Sequence, residues 1–151
     1  MPAVPPPVGG TYDDALLWFK SVPRFRFVLD ESGVHAEGEM TRARIGQERV
    51  TFRADGTEWR AAAGPRGVPW EKRIGGQWQH VDAPPYGVRF YQRVTLAFDP
   101  QKKEGTAQLV EPGHYRFTDA NTNHVHDVWV TPRSHITKMT IGGVMELRIL
   151  E

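Results

Sequence analysis

The chain has 151 residues, of which 39% are hydrophobic and 25% are charged. A chain of this length and composition forms one domain with its own core, which excludes global disorder. Nineteen basic and eighteen acidic residues leave a net charge of +1, so no bulk attraction to nucleic acid is expected. The sequence contains no cysteine, which excludes disulfides, thiolate metal sites and cysteine nucleophiles.

Residues 1–10 are rich in proline and predict a flexible, extended linker ahead of one domain at 11–151. The segment lacks the basic start and apolar core of a signal peptide. We expect it to be the tether behind a removed leader or lipid-anchored residue. That origin predicts a periplasmic or cell-envelope protein with peripheral membrane association through the lost anchor, whereas a native start at Met1 predicts a cytoplasmic one.

The first regular element is a helix over 11–22. Thr11 is a good N-cap, and acidic residues follow in the first turn, where the helix dipole favours them. Apolar residues then recur at helical spacing through Phe19. Pro23 ends the helix, because proline disfavours helical geometry in the residue before it. The broad apolar stripe predicts that this helix lies on a sheet.

After Pro23 the apolar period changes from helical to two, which is typical of strands. Asp55-Gly56 and Gly75-Gly76 are two-residue hairpin signals between such runs. The regular spacing of strands and turns predicts a large antiparallel sheet. The predicted strands cover 24–30, 34–45, 48–54, 57–63, 68–74, 77–81, 106–110, 113–119, 124–131, 135–141 and 144–150.

Residues 86–98 carry two conflicting signals. Tyr86, Phe90, Val94 and Phe98 recur every four residues, as on one face of a helix, while the β-branched and aromatic content suits a strand equally well. We favour the helix because Pro84 and Pro85 precede it and proline is common at helix starts. The predicted fold class is therefore mainly β (α+β).

This order of elements resembles the bacterial lipoprotein-carrier superfamily, with its LolA/LppX-like fold. The resemblance covers the chain from residue 11 to about 150. It implies a curved antiparallel sheet or half-open barrel of about 9–11 strands, covered by the N-terminal helix and a second helix near 86–98. Near the C-terminus Thr131 stands where the family usually has an aspartate. The segments that carry the resemblance are 24–27 (RFRF), 49–59 (RVTFRADGTEW), 74–81 (IGGQWQHV), 128–132 (VWVTP) and 136–141 (ITKMTI).

The resemblance implies an apolar concave face that takes acyl chains. Large side chains of the first helix and the first six strands are the expected ligand-binding residues, although the sequence does not reveal which strand face is concave. The same aromatic residues could equally fill an ordinary core with no ligand. The expected ligand-binding residues are Trp18, Phe25, Phe27, Val50, Phe52, Trp59, Trp70 and Trp78.

A metal site is the weaker alternative. His124 and His126 fall on one face of a strand, and His114, His135 or Asp119 could supply a third ligand. A solvated strand edge explains the pair more simply, so we predict no metal site and no cofactor. The sequence also shows no phosphate-binding glycine loop and no nucleophile elbow, so we predict no catalytic residues and no enzyme activity.

Three functions are expected, the first from the resemblance and the others from the patterns in the sequence. The first is a non-enzymatic extracytoplasmic carrier or sensor whose partner is a lipid, a lipoprotein acyl chain or another apolar small molecule, with no role for nucleic acid. The second is a structural or protein-interaction domain whose core is self-filled and whose strand edge pairs with a partner. The third is a metal-binding protein centred on His124 and His126. The sequence leaves the oligomeric state open.

Overall fold

The computed structural model describes residues 11–63, 68–95, 107–118 and 123–150. Within these ranges the chain forms two helices and eleven strands, which confirms the mainly β class. In chain order they are α1 (Tyr12–Ser21), β1 (Arg24–Glu31), β2 (Val34–Arg42), β3 (Glu48–Ala54), β4 (Thr57–Ala62), β5 (Trp70–Ile74), β6 (Gln77–Val81), α2 (Gly87–Thr95), β7 (Gln108–Glu111), β8 (His114–Thr118), β9 (Val125–Val130), β10 (Ile136–Ile141) and β11 (Met145–Leu150).

All eleven strands belong to one antiparallel sheet, in the order β6-β5-β4-β3-β2-β1-β11-β10-β9-β8-β7. Strand β1 lies at the centre and pairs with both β2 and β11, so the first and last strands of the domain are neighbours. The edge strands β6 and β7 do not pair with each other, and the sheet stays unclosed. The predicted half-open arrangement is confirmed, with the strand number at the top of the expected range.

The first helix begins as the sequence predicts. The Thr11 side chain accepts a hydrogen bond of 3.2 Å from the backbone N–H of Asp14. The buried face of α1 consists of Tyr12, Ala15 and Phe19, and the helix ends just before Pro23. This face packs on the sheet, with Tyr12 against the rings of Tyr115 and Phe117 in β8.

The second helix is also confirmed, over Gly87–Thr95, while 96–98 lie outside the described residues, as does the predicted linker at 1–10. Phe90 and Val94 are buried, and Phe90 lies 5.9 Å from the ring of Phe52 in β3. Both helices therefore cover the same face of the sheet. No helix among the described residues is long and apolar enough to cross a membrane.

One row of paired residues shows how the sheet presents this face. Ile149, Phe27, Gly38, Phe52 and Trp59 are cross-strand partners in succession, so their side chains share a face. A single buried cluster extends from Trp70 in β5 to Phe117 in β8 and includes both helices. Strands so far apart in the sheet order reach one core because the sheet bends round it, and we call the helix-covered side the concave face.

Gly38 is the one position in this row without a side chain. A Cβ at Gly38 would lie 2.2 Å from the carbonyl oxygen of Thr51 and 2.6 Å from Cβ of Phe52. Any larger residue must therefore push β2 and β3 apart, because backbone atoms cannot yield as the end of a flexible side chain can. The close approach of the two strands requires glycine here.

We expect Gly38→Ala to lower the free energy of unfolding by about 2 kcal/mol, as overpacking in a tight interior does. Gly142→Ala is the matched control, since its added Cβ would meet only the carbonyl oxygen of Val125, at 3.6 Å. Urea unfolding of both variants measures the difference. Equal midpoints for the two would contradict the packing account.

Candidate functional site

The two helices do not seal the concave face. An opening remains between them, lined by Tyr12 and Leu16 of α1 and by Gln92 and Arg93 of α2. We call this opening the interhelical cleft. Its floor is formed by strands β8 to β11 and is mainly apolar. The apolar floor residues are Phe117, Val128, Met139, Ile141 and Met145.

The cleft is narrow in this structure. Its cavity volume is about 40 Å³, whereas pockets that hold small-molecule ligands span roughly 300–1,000 Å³. Large side chains of the protein itself, including Phe19, Phe27, Phe52 and Phe90, fill the rest of the concave face and are almost completely buried. A ligand with a long aliphatic chain would therefore enter only if the helices moved apart.

A buried carboxylate fixes α2 at one side of the cleft. Glu31, at the end of β1, has a side chain only 1% exposed. Its Oε1 lies 2.9 Å from Nε of Arg93, and its Oε2 lies 3.3 Å from Nε of Arg89. One negative charge thus meets two positive charges from the same helix, and the cleft has a polar margin beside its apolar floor.

A second polar cluster holds the C-terminal end of α1. The Nη1 atom of Arg42 donates hydrogen bonds of 2.9 Å to the carbonyl oxygens of Phe19 and Val22. Its Nε lies 3.2 Å from Oε1 of Glu48, and both side chains are largely buried. Carbonyls at a helix end have no partner within the helix, so the guanidinium satisfies them. We call these residues, with Tyr91, the Arg42 cluster.

Tyr91 joins α2 to the same cluster. Its hydroxyl donates a hydrogen bond of 3.3 Å to the backbone carbonyl oxygen of Glu48. Burial, together with the nearby charge of Glu48, raises the pKa of Tyr91 to about 12. The hydroxyl therefore keeps its proton across the physiological pH range. Both helices are thus connected to the start of β3 through one polar cluster.

His126 lies on the concave face within the cleft. It is cross-strand partner to Phe117, and the two rings stack at 4.7 Å with an interplanar angle of 15°. Asp127 follows it and points to the opposite face, where its carboxylate lies 2.7 Å from His114 and 2.8 Å from Arg116. The acidic side chain next to the cleft is therefore turned away from it.

Most of the predicted ligand-binding residues lie on the concave face, but outside the interhelical cleft. Phe27, Val50, Phe52 and Trp70 are buried in the core, and Trp59 is partly buried in the same row as Phe52. None of these side chains lines the cleft.

Two more of the predicted residues, Trp18 of α1 and Phe25 of β1, lie near the C-terminal end of α1. Trp18 and Phe25 line an open groove of about 380 Å³ there, together with Val22 and Ile149. The Trp18 ring also stacks on that of His135 at 4.5 Å. This groove is separate from the interhelical cleft, since the two share no lining residue.

Trp78 lies apart from these residues. In β6, Val81 pairs with Trp70 of the concave face, whereas Trp78 pairs with Arg73. Since side chains alternate, Trp78 lies on the opposite, convex face. There the guanidinium carbons of Arg60 and Arg73 lie 4.3 and 5.1 Å from its ring centroid. The ring is covered by cations, an arrangement that the count of aromatic residues alone does not reveal.

The structure does not bring the histidines together. His126 and His114 lie on opposite faces of the sheet, and the exposed His124 precedes the first residue of β9. Asp119 lies outside the described residues. Among the residues that are described, no group of three histidine, aspartate or glutamate side chains could hold a metal ion.

Sequence reasoning missed most of the cleft. Leu16 and Tyr12 belong to the helical stripe that it identified, but the floor residues come from strands late in the chain, whose faces could not be assigned. Arg42, Glu31 and Arg93 carried no signal, because a buried charge cannot be distinguished from a solvated one in sequence. The chain matches no protein-family model, and no curated protein matches it significantly.

We expect Arg42→Met to lower the free energy of unfolding by about 3–5 kcal/mol, because it leaves Glu48 buried without its cation. The matched control is Arg53→Met. Arg53 pairs with Glu58 at 3.0 Å, but its side chain is 69% exposed, so its loss should cost below about 1 kcal/mol. Urea unfolding compares the two. Equal losses would show that the Arg42 cluster is no more than a surface ion pair.

The raised pKa of Tyr91 predicts a pH dependence. Because the folded-state pKa of about 12 exceeds the ordinary value of about 10, Tyr91 stabilises the fold at pH below its unfolded pKa. That contribution is lost as pH rises through the folded pKa. Ultraviolet absorbance titration of wild type should show an ionisation step near pH 12 that Tyr91→Phe lacks. A late step that persists in the variant would assign it to another tyrosine.

Proposed function

We propose that this chain is a non-enzymatic carrier or sensor that holds a lipid, a lipoprotein acyl chain or another apolar ligand between the two helices and the concave face. The observation that supports it best is the interhelical cleft, an apolar floor on four strands with a helix on either side. The arrangement of an unclosed sheet with helices over one face also agrees with the resemblance to lipoprotein carriers.

The proposal requires the helices to move apart along the cleft while their polar contacts to the sheet are kept. Each is fastened to the sheet by a few polar contacts at its ends or along one side, through the Arg42 cluster and the Glu31 ion pairs. Between these contacts the helix faces are apolar. When the aliphatic chain of a ligand takes the place of a helix face against the sheet, one apolar contact is exchanged for another. The free-energy cost of moving the helices apart is therefore reduced.

The expected affinity follows from apolar burial. Each buried methylene contributes about 0.8 kcal/mol, so a chain that buries about ten methylenes gains about 8 kcal/mol. That corresponds to micromolar binding if nothing opposes it. Opening the helices lowers the net gain, so detectable binding requires a long chain. Short apolar molecules should bind weakly.

The same proposal places the protein in the periplasm or cell envelope, with peripheral membrane association. Its support is the resemblance to bacterial lipoprotein carriers. The native gene sequence upstream of Met1 tests it: a lipid-modifiable cysteine behind a leader supports the placement, and a native start codon at Met1 contradicts it.

A second candidate is an interaction domain whose core is filled by its own side chains. It is favoured by the near-complete burial of the core phenylalanines and by the exposed edge strand β7, where Leu109 and Val110 are 62% and 47% exposed. An exposed apolar edge can pair with another strand. Light scattering after size-exclusion chromatography separates the candidates, since a monomer at high concentration argues against self-pairing.

We expect Leu16→Gln to weaken binding of a fluorescent long-chain fatty acid by about 10-fold, through the loss of a partly buried leucine contact. Leu17→Gln is the matched control, because Leu17 is the next residue on the same helix and is 66% exposed. Its affinity should equal that of wild type. Thermal unfolding confirms that both variants fold. Wild-type protein that binds no chain, or equal affinities for the two variants, would reject the cleft as the site.

A further inference from the structure

We infer that the ligand of the interhelical cleft is an amphiphile with an anionic headgroup, either a carboxylate or a phosphate monoester, and that Arg93 and Arg89 bind this headgroup. The inference rests on the proposed function and names the chemical class that the same site selects. It is carried by the two-to-one ratio of guanidiniums to carboxylate beside an apolar floor.

The charge at this margin is unbalanced. Glu31 supplies one negative charge, while Arg89 and Arg93 supply two positive ones within 3.3 Å of it. Each guanidinium carries five N–H donors, and two carboxylate oxygens cannot accept from all of them. The pair therefore keeps donors and a net positive charge for a second anion.

The position of Arg93 connects this charge to the cleft. Arg93 lines the cleft beside the apolar floor, and its side chain is 24% exposed, so an entering ligand can reach it. Arg89 is 52% exposed, one helical turn earlier on the same face of α2. An anionic headgroup at this margin would place its aliphatic chain over Met139 and Val128.

No other carboxylate among the described cleft residues competes for this position. The carboxylate of Asp127, whose residue also borders the cleft, is bound to His114 and Arg116 on the convex face. The imidazole of His126, which is buried in the same wall of the cleft, carries no negative charge. The described lining is thus electrostatically suited to an anion and not to a cationic or neutral headgroup.

The experiment measures palmitate, hexadecyl phosphate and their neutral counterpart methyl palmitate by displacement of a fluorescent long-chain probe. Wild-type protein should bind both anions about 10-fold more tightly than the ester, as charge-assisted hydrogen bonds imply. Arg93→Gln should lower the ratio of palmitate affinity to methyl palmitate affinity to near one, whatever its effect on binding of the chain itself. Arg93→Lys should keep part of the preference, because it keeps the charge.

Two further variants sharpen the test. Glu31→Gln removes the competing carboxylate and should strengthen palmitate binding, while Arg53→Gln, an exposed convex-face variant, should bind as wild type does. Thermal unfolding establishes which variants fold. If Arg93→Gln does not fold, the palmitate affinity of Glu31→Gln and the preference of wild type for anions decide whether the inference holds.

The outcomes separate the two proposals. Equal binding of palmitate and its methyl ester by wild type would overturn the headgroup inference and leave the carrier proposal standing. Failure of every long-chain compound to bind would overturn the carrier proposal, and the headgroup inference with it. Displacement of the probe by inorganic phosphate as readily as by hexadecyl phosphate would overturn the inference too, since the site would then recognise a free anion without a chain.

Discussion

An unclosed antiparallel sheet must have its apolar face covered, and this constraint determines the rest of the structure. The eleven strands place large side chains such as Phe27 and Leu147 on one face, and without cover these would meet water. The helices provide the cover, and the chain needs both because the sheet bends round a single core. Their fastening points, Arg42 and Glu31, are accordingly the most deeply buried charges of the described residues.

These buried charges are expensive to desolvate, so each is paired and hydrogen-bonded. Arg42 uses Glu48 and two helix-end carbonyls, while Glu31 uses two arginines of α2. Hydrogen bonds and ion pairs, unlike apolar packing, require a particular geometry, and the contacts within one cluster are lost together. A cover held in this way has a defined closed geometry, in which the apolar surfaces beneath it pack against the helices.

Much of the fold could be predicted from sequence, because its signals are local. The capping residue Thr11, the stop at Pro23 and the Asp55-Gly56 hairpin each act on their own neighbours, and all are observed. Segment ends were less accurate: the predicted strand from 34 ends at Arg42, which turns inward to pair with Glu48. Burial does not follow the alternation of strand faces everywhere. Val28 lies on the convex face, with Glu37 and Arg148 as its cross-strand neighbours, and yet is only 8% exposed.

The candidate site could not be predicted to the same degree, since it depends on contacts between distant segments. Arg93 and Glu31 are 62 positions apart in the chain, and nothing in either local pattern indicates that they meet. Trp78, an expected ligand-binding residue, lies on the convex face, where two arginines cover its ring. Composition indicated an apolar face, and only the strand register identified which residues form it.

The central claim is that the concave face holds an apolar ligand. Native mass spectrometry of the full protein, extracted gently from the cells that make it, tests this most directly. The account predicts a bound mass that organic solvent releases and that fragments as a long-chain lipid. A ligand-free spectrum, with no lipid bound after incubation with an extract of the same membranes, would contradict it.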